Sequence, residues 1–209
     1  MNLSGKAARS IMVTSAVPGE GKSFVAANLA ISIAQSIQEH VLIIDSDMRV
    51  PSIHRQFGFD DIPGLSEYLA NGTPLSMLLQ KTKVDKLSIL PAGKPPHNPA
   101  ELLSSQRMSK LLEEVRERYS DRYIIIDSPP PKLTAEANAL ARQVDGILLI
   151  VKYGSTPRDM VSDLIELLGK EKILGVVFNR VDMRLSNYLA YKRYAKYGKN
   201  GKYYTKYHK

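Results

Sequence analysis

The chain has 209 residues, 44% of them apolar, which is enough for one well-buried core and indicates a single globular domain. It contains no cysteine, so a disulfide framework and thiolate chemistry are excluded. No apolar run approaches the roughly 18 residues that a membrane-spanning helix needs, and the first residues lack the layout of a secretory signal. We therefore expect a cytoplasmic protein.

The formal net charge of +8 is concentrated at one end of the chain. Residues 181–209 contain eight Lys and Arg against a single acidic residue, Asp182, so this segment carries +7. Only +1 remains for the other 180 residues. An anionic partner is therefore expected at the C-terminal segment and not at the body of the protein.

Short apolar runs alternate with longer amphipathic segments over the first 180 residues, which is typical of βαβ units. In chain order the pattern predicts a strand at 11–14, a helix at 23–37, a strand at 41–45, short helices at 65–70 and 75–80, and a strand at 87–90. A helix at 104–119, a strand at 123–127, a helix at 134–142, a strand at 146–151, a helix at 157–168 and a strand at 173–178 follow. The proline-rich stretch 91–102 is predicted to be an ordered surface loop.

These elements predict an α/β domain with a parallel sheet that helices cover on both faces, because the strands show little polar alternation. The domain is expected to span residues 1–182. Residues 183–209 have too few aliphatic side chains for a core, and we expect them to form a flexible, basic, tyrosine-rich tail.

The segment SAVPGEGKS, residues 15–23, follows the first strand directly and opens the first helix. In that position, backbone N–H groups and a helix N-terminus form a cradle for phosphates. A strict Walker A motif has glycine where this chain has Ala16, but the strand-turn-helix setting favours a P-loop. The residues expected to bind nucleotide are Pro18, Gly19, Glu20, Gly21, Lys22, Ser23 and Phe24.

Two further strands end in acidic residues, in VLIIDSDMR with Asp45 and Asp47 and in YIIIDSPPP with Asp127. The carboxyl ends of parallel strands meet at one edge of a sheet, so these carboxylates are expected beside the P-loop. Phosphoryl transfer needs a hard cation on the phosphate oxygens and a group that orients the nucleophile. The pattern therefore predicts a Mg²⁺ site formed by Ser23 and the three carboxylates.

Asn179 and Arg180 come directly after the last predicted strand, in GVVFNR. An amide can pair with a base edge and a guanidinium can stack on it. The sequence leaves adenine contact and local loop hydrogen bonding equally open for this pair.

The combination of SAVPGEGKS, VLIIDSDMRVPSIHRQFG, PGLSEYLANG, LPAGKPPHNPAELL, YIIIDSPPP and the terminal tyrosine cluster resembles the bacterial protein-tyrosine kinases of exopolysaccharide and capsule assembly. The resemblance covers nearly the whole chain from Ser10 onward. It implies ATP and Mg²⁺ as cofactors, with Lys22, Asp45, Asp47 and Asp127 in the catalytic motifs named Walker A, A′ and B. It also implies autophosphorylation in trans at tyrosines of the tail, namely Tyr188, Tyr191, Tyr194, Tyr197, Tyr203, Tyr204 and Tyr207.

The same resemblance implies three partners: other copies of the chain, a tyrosine phosphatase, and a transmembrane activator of the chain-length-regulator type that recruits the kinase to the inner face of the plasma membrane. Nucleic acid is not expected as a partner. The family's Glu-x-x-Arg-x-x-Arg segment before the first strand is absent, because only ten residues precede Ile11. The number of subunits is therefore left open.

The main alternative is a nucleotide-switch ATPase of the septum-positioning or plasmid-partitioning type with an anion-binding tail. Those ATPases resemble KGGxGK[ST], and Val17 stands here in place of the first lysine. A tail that binds nucleic acid or anionic lipid is a second alternative. Seven hydroxyl-bearing tyrosines among lysines favour the kinase, and the absence of HRD, DFG and G-x-G-x-x-G motifs excludes a eukaryotic-type kinase.

Overall fold

The computed structural model describes residues 8–36, 39–118, 122–131 and 135–181. The chain divides into two units, Met1–Asn179 and Arg180–Lys209. The fold below is that of the first unit. The tail tyrosines lie outside the described residues, and the predicted domain boundary after residue 182 stays a prediction.

Seven strands form one sheet in the order β3-β4-β2-β5-β1-β6-β7. All neighbours run parallel except β3, which pairs antiparallel with β4. This arrangement confirms the predicted fold class. The strands are β1 (Ser10–Ser15), β2 (His40–Asp45), β3 (Gln80–Lys81), β4 (Leu87–Leu90), β5 (Arg122–Asp127), β6 (Gly146–Lys152) and β7 (Ile173–Asn179).

Helices connect the strands and lie on both faces of the sheet. They are α1 (Lys22–Ala34), α2 (Ile53–Gln56), α3 (Leu65–Asn71), α4 (Leu75–Leu78), α5 (Pro99–Leu103), α6 (Gln106–Arg118), α7 (Ala135–Gln143) and α8 (Arg158–Leu168). A single 3₁₀ turn at Lys170–Lys172 precedes β7.

The six predicted strands are all present. β4 has its predicted bounds, and the other five are longer by one or two residues. The pattern missed β3 and α2, which are too short to show a period. The helix predicted at 104–119 is α6, at 106–118, and most of α5 lies in the stretch that was predicted as a loop up to residue 102. Pro99 starts α5 because proline suits the first helical turn, where its missing N–H costs nothing. The short helix predicted at 75–80 ends at Leu78, since Gln80 joins the edge strand.

The core has two layers because successive strand side chains point to opposite faces. On one face Val13, Ile43 and Ile125 pack against α1, whose buried positions are all alanine (Ala26, Ala27, Ala30 and Ala34). On the other face the helices α6, α7 and α8 contribute larger buried residues, among them Met108, Leu111, Leu140 and Leu164. The alanine face lets α1 lie close to the sheet, which places its N-terminus over the ends of the central strands.

Among the described residues, none of the helices combines the length and the apolar character needed to cross a bilayer.

Candidate active site

The loop between β1 and α1 is shaped by two glycines with left-handed backbone conformations, Gly19 at φ 78° and Gly21 at φ 90°. Glycine adopts this conformation without steric cost. Gly21 has a second constraint, because a Cβ there would collide with the side-chain amide of Asn179. The exposed Pro18 and Gly19 and the half-buried Gly21, Lys22 and Ser23 therefore form an open cradle at the N-terminus of α1.

Glu20 was predicted to bind nucleotide, but its side chain is buried and faces the protein. One carboxylate oxygen accepts the backbone N–H groups of Ala16 and Val17 at 2.9 and 3.2 Å. The other accepts the N–H of Lys152 at 3.0 Å and the hydroxyl of Thr156. Glu20 thus joins the P-loop to the turn after β6. The motif SAVPGEGKS does not show that the Glu20 side chain points into the protein, and nothing in the sequence pointed to Thr156.

Lys22 begins α1 and points toward the end of β2. Its Nζ lies 2.7 Å from Oδ2 of Asp47, and both side chains are largely buried. Burial alone would lower the pKa of Lys22, but the nearby carboxyl groups of Asp127 and Asp47 outweigh it, so the pKa is raised. Lys22 is therefore held as a cation at the point where three acidic residues meet.

Asp45 ends β2 and is fully buried. Its oxygens accept three backbone N–H groups of the following loop, from Asp47 at 3.1 Å and from Ser52 and Ile53 at 3.0 Å each. Burial raises the pKa of Asp45 to about 6, although these N–H groups act in the opposite direction. The side chain therefore fixes the shape of the loop that carries Asp47.

Asp127 ends β5 in register with Asp45 and is also fully buried. Burial, together with the neighbouring Asp45, raises its pKa to about 8. The Ser23 hydroxyl lies close enough to lower that pKa, yet neither oxygen of Asp127 has a hydrogen bond of normal geometry within the described part of the chain. Buried polar atoms are rarely left in this state, so these oxygens indicate a site for a ligand.

The residues fit a magnesium ion that is bound together with nucleotide. Over the described ranges, no group of three or more His, Asp or Glu side chains converges into a protein-only metal cage. Mg²⁺ at phosphate sites takes only one or two protein oxygens and completes its shell with phosphates and water. Asp127 with its unsatisfied oxygens and Ser23 beside it meet that requirement, whereas Asp45 is engaged by backbone N–H groups and Asp47 by Lys22.

At the other side of the P-loop, the Asn179 side-chain amide donates to the carbonyl of Glu20 at 2.7 Å. This is one of the two roles that the sequence left open, contact within the loop. Arg180 follows with a left-handed backbone at φ 55°. Phe24 is 62% exposed on the first turn of α1, where it can face a bound nucleotide or another protein.

A glycine-rich loop that leads from a parallel strand into a helix, a lysine at the helix start and acidic residues on neighbouring strands define a P-loop nucleotide-binding protein. The comparisons with known proteins agree with this class. A family model described as ParA, NUBPL iron-transfer P-loop NTPase, matches residues 6–201. Iron–sulfur clusters are held by cysteine thiolates, and these 209 residues contain none.

Tyrosine-protein kinase YwqD of Bacillus subtilis is 38% identical over 173 residues, which are 82% of this chain and 72% of YwqD. Succinoglycan biosynthesis transport protein ExoP of Rhizobium meliloti is 36% identical over 210 residues, but the match spans 97% of this chain and only 26% of ExoP. The solved structure of the chimerical protein CapA2B2 superposes with a TM-score of 0.77 at 34% identity, covering 85% of this chain and 78% of that one. The chain belongs to the ParA-like P-loop NTPases and, within them, to the bacterial tyrosine-protein kinases.

Proposed function

We propose that the chain transfers the terminal phosphoryl group of ATP to tyrosine hydroxyls of proteins. The observation that supports this most directly is the position of Lys22, which the P-loop directs at Asp47 beside the buried Asp45 and Asp127. A lysine in that place neutralises charge on the transferred phosphoryl group, and preorganised charges of this kind are the main source of catalysis in phosphoryl transfer.

We assign the binding of the phosphates, the metal ion and the base to different residues of the chain. The N–H groups of the P-loop and the N-terminus of α1 bind the phosphates, and Glu20 keeps that loop in place. Ser23 and Asp127 would hold Mg²⁺, which would neutralise charge on the phosphate oxygens. Asn179 lies at the end of the site that we assign to the base, and Arg180 is the next residue in the chain.

Asp47, and not Asp45, is our candidate for the group that accepts the proton of the tyrosine hydroxyl. The oxygens of Asp45 are occupied by three N–H groups, and Asp47 is the only one of the three acids with measurable exposure, at 6%. ATP phosphates compete with Asp47 for Lys22 and so release its carboxylate. The tyrosine oxygen then bonds to the γ-phosphorus, the bond to the bridging oxygen breaks with ADP leaving, and the hydroxyl proton passes to Asp47.

We further propose that the acceptors include the tail tyrosines, and that one copy of the chain modifies another. Each phosphate adds about −1.5 to −2 at pH 7, so roughly four of them cancel the +7 of residues 181–209. Modification therefore reverses the attraction between the tail and an acidic site.

ExoP, named for succinoglycan biosynthesis, supports a role in exopolysaccharide or capsule production. About three quarters of ExoP lies outside the match, so the part that resembles this chain is joined there to other parts of the protein. By analogy we propose a transmembrane activator that recruits this chain to the membrane, and a tyrosine phosphatase that resets it.

The test is incubation of the purified chain with γ-labelled ATP and Mg²⁺, comparing wild type with Lys22→Met. We expect the wild type to incorporate label on tyrosine and the variant to lose at least about 100-fold in rate with its circular dichroism and melting temperature retained. Release of label as free phosphate with none on protein would instead support the switch ATPase. Full labelling by a folded Lys22→Met chain would contradict the site assignment.

A further inference from the structure

A groove of about 460 Å³ lies at the same edge of the sheet as the P-loop, between the loop that follows β2 and the loop that follows β4. Its walls are largely rigid and apolar, formed by Pro51, Ile62, Pro63 and Pro95, and charged side chains line the rest. Binding sites usually combine apolar walls with a few placed polar groups in this way. We call it the β2–β4 groove.

The groove adjoins the catalytic loop in sequence as well as in space. Pro51 lines it, and the next two residues, Ser52 and Ile53, donate the N–H groups that hold Asp45. His54 follows, buried, with its Nε2 3.1 Å from Oδ1 of Asp61 in the same connection. A segment bound in the groove therefore lies next to the loop that carries Asp47.

The order of the strands shows from which direction an acceptor has to come. The P-loop follows β1, and Lys22 points away from β6 and β7 toward Asp47, beyond the end of β2. The terminal phosphoryl group is expected on that side, because the lysine neutralises it. The attacking oxygen must lie opposite the leaving oxygen, and hence farther along the same direction. The next strand in that direction is β4, so the β2–β4 groove lies on the acceptor's side.

The groove has charges of both signs, which gives a bound segment a preferred direction. Asp61 is 89% exposed, and Asp60 beside it is exposed too. The ion pair of Asp61 with Arg55 is long, at 3.8 Å, and lies in solvent. Glu67 turns inward and accepts the N–H groups of Gly64 and Lys94 at 2.7 and 3.2 Å. The charges on the solvent side of the groove are therefore Asp61 with its partner Arg55 on one wall and Lys94 on the other.

We propose that the β2–β4 groove is the docking site for the acceptor, a tyrosine-bearing segment with basic flanks such as residues 188–207 of a second copy of the chain. This rests on the proposed kinase function and adds a location and a charge preference to it. Residues 186–197, SNYLAYKRYAKY, place three cations, Lys192, Arg193 and Lys196, between four tyrosines, with no acidic residue. Asp61 attracts the cations of such a segment. Lys94 repels them when the segment is bound with its cations close to Lys94.

The first experiment measures KM for a synthetic SNYLAYKRYAKY peptide, KM for ATP and kcat, using the full chain at low concentration with Mg²⁺. Asp61→Lys is expected to raise the peptide KM about threefold to tenfold, and Lys94→Glu to lower it by a similar factor, with KM for ATP unchanged in both. Asp85→Lys is the matched control, because Asp85 is exposed in the turn before β4, at the opposite edge of the sheet.

A second peptide with Lys192→Gln, Arg193→Gln and Lys196→Gln separates local contact from an effect on the enzyme itself. The shift caused by Asp61→Lys should shrink toward onefold with this neutral peptide. An equal shift with both peptides, an equal effect of Asp85→Lys, or unchanged peptide KM in both groove variants would each overturn the proposal. If the wild type labels neither peptide nor itself, the proposed function fails and the groove assignment with it; if it labels itself and the peptide, only the groove is under test.

The absence of cysteine in these 209 residues allows a direct test of location. Lys94→Cys in the kinase is mixed, under mild oxidation, with peptides carrying Ala190→Cys or Ala195→Cys, and Asp85→Cys serves as the control. We expect a disulfide-linked product with at least one peptide at position 94, and its suppression by excess unmodified peptide. Equal or greater trapping at position 85 would place the acceptor elsewhere.

Discussion

The carboxyl ends of the strands (the carboxyl edge of the sheet) and their amino ends (the amino edge) each have an aspartate at the boundary of the core. The surroundings of these two aspartates shift their pKa values in opposite directions. At the carboxyl edge, Asp127 has no hydrogen-bond partner of normal geometry among the described residues, and its pKa is raised to about 8, by burial first and then by Asp45. At the amino edge, Asp145 accepts the N–H groups of Ser10 and Arg9 at 2.9 and 3.1 Å. An ion pair with Arg116 at 3.4 Å adds to these bonds.

Burial would raise the pKa of Asp145, but these hydrogen bonds and Arg116 outweigh it, and the pKa is lowered. The backbone N–H of Asp145 in turn donates to the Ser10 hydroxyl at 2.9 Å, so the contact ties the start of β1 to the start of β6. The amino edge thus uses its charge to stabilise the fold. The carboxyl edge keeps an acid, Asp127, whose charged form is unfavourable without a ligand, as expected where binding and not stability has been selected.

The largest effect is expected from Asp127→Asn. Labelling should fall by at least about 100-fold, since Asp127 is the proposed metal ligand. The melting temperature of the protein without nucleotide should stay equal or rise, because asparagine is neutral and has the shape of the buried acid, whose charged form burial makes unfavourable. Labelling assays and thermal unfolding on the same preparation test both parts. A marked drop in melting temperature would show that the two edges do not differ in the way described.

Glu20→Gln tests a second carboxylate at the carboxyl edge, one whose two oxygens both accept hydrogen bonds. Its oxygens accept from Ala16, Val17, Lys152 and Thr156, and a glutamine NH₂ would face one set of donors with a donor of its own. We expect roughly tenfold weaker ATP binding and about 2 kcal/mol less stability, because buried N–H groups lose their acceptor. Nucleotide titration and urea unfolding measure the two effects.

Thr156→Val is a smaller change at the same contact, because it removes only the hydroxyl that donates to Glu20 and leaves the N–H groups of the P-loop bound to Glu20. It should affect both quantities less than Glu20→Gln. Unchanged ATP affinity in a destabilised Glu20→Gln chain would mean that Glu20 supports the fold without positioning the P-loop.

Asp145→Asn probes the amino edge and should lower the free energy of unfolding by about 1 kcal/mol at pH 7, with no change in labelling at saturating ATP. Because the folded pKa of Asp145 is below the unfolded value, its contribution is present above the unfolded pKa and is lost as the pH falls through the folded pKa. Urea unfolding at pH 7, 5 and 3 should therefore show the two proteins converging at the lowest pH. A constant difference at all three values would rule out the charge as its source.

The parallel sheet and the site residues could be predicted from sequence because each depends on a local signal. Apolar runs that end in Asp45 and Asp127 mark strands whose carboxyl ends must meet, and the glycine-lysine loop before α1 marks the phosphate cradle. What could not be predicted is how the acids divide their roles. Nothing in VLIIDSDMR shows that Asp45 binds loop N–H groups while Asp47 binds Lys22, since those partners depend on the fold of residues 46–53.

The roles of Glu20 and Asp145 could not be predicted from the sequence for a related reason. Glu20 contacts Thr156 from 136 positions away, and Asp145 binds the N–H of Arg9 across an equal separation. Such contacts follow from adjacent strands of the sheet, here β1 and β6, that are distant in the chain. Sequence periodicity identifies the strands but not the polar contacts that join their ends.

The smallest effect is expected from Lys172→Met, a second test of the stabilising amino edge. Lys172 Nζ donates to the carbonyls of Ala141, Arg142 and Val144 at 2.9, 2.7 and 3.3 Å, where α7 ends and its carbonyls lack helical partners. A cation at a helix C-terminus contributes about 0.3–1 kcal/mol, so methionine, which keeps much of the aliphatic stem, should cost about that amount and leave labelling unchanged. Lys170→Met, in the same 3₁₀ turn, is the matched control, and urea unfolding of both at low and high salt measures the difference. Since the interaction is electrostatic, the gap between the two variants should narrow in high salt; equal stability of both at low salt would show that the carbonyls at the end of α7 do not need the lysine.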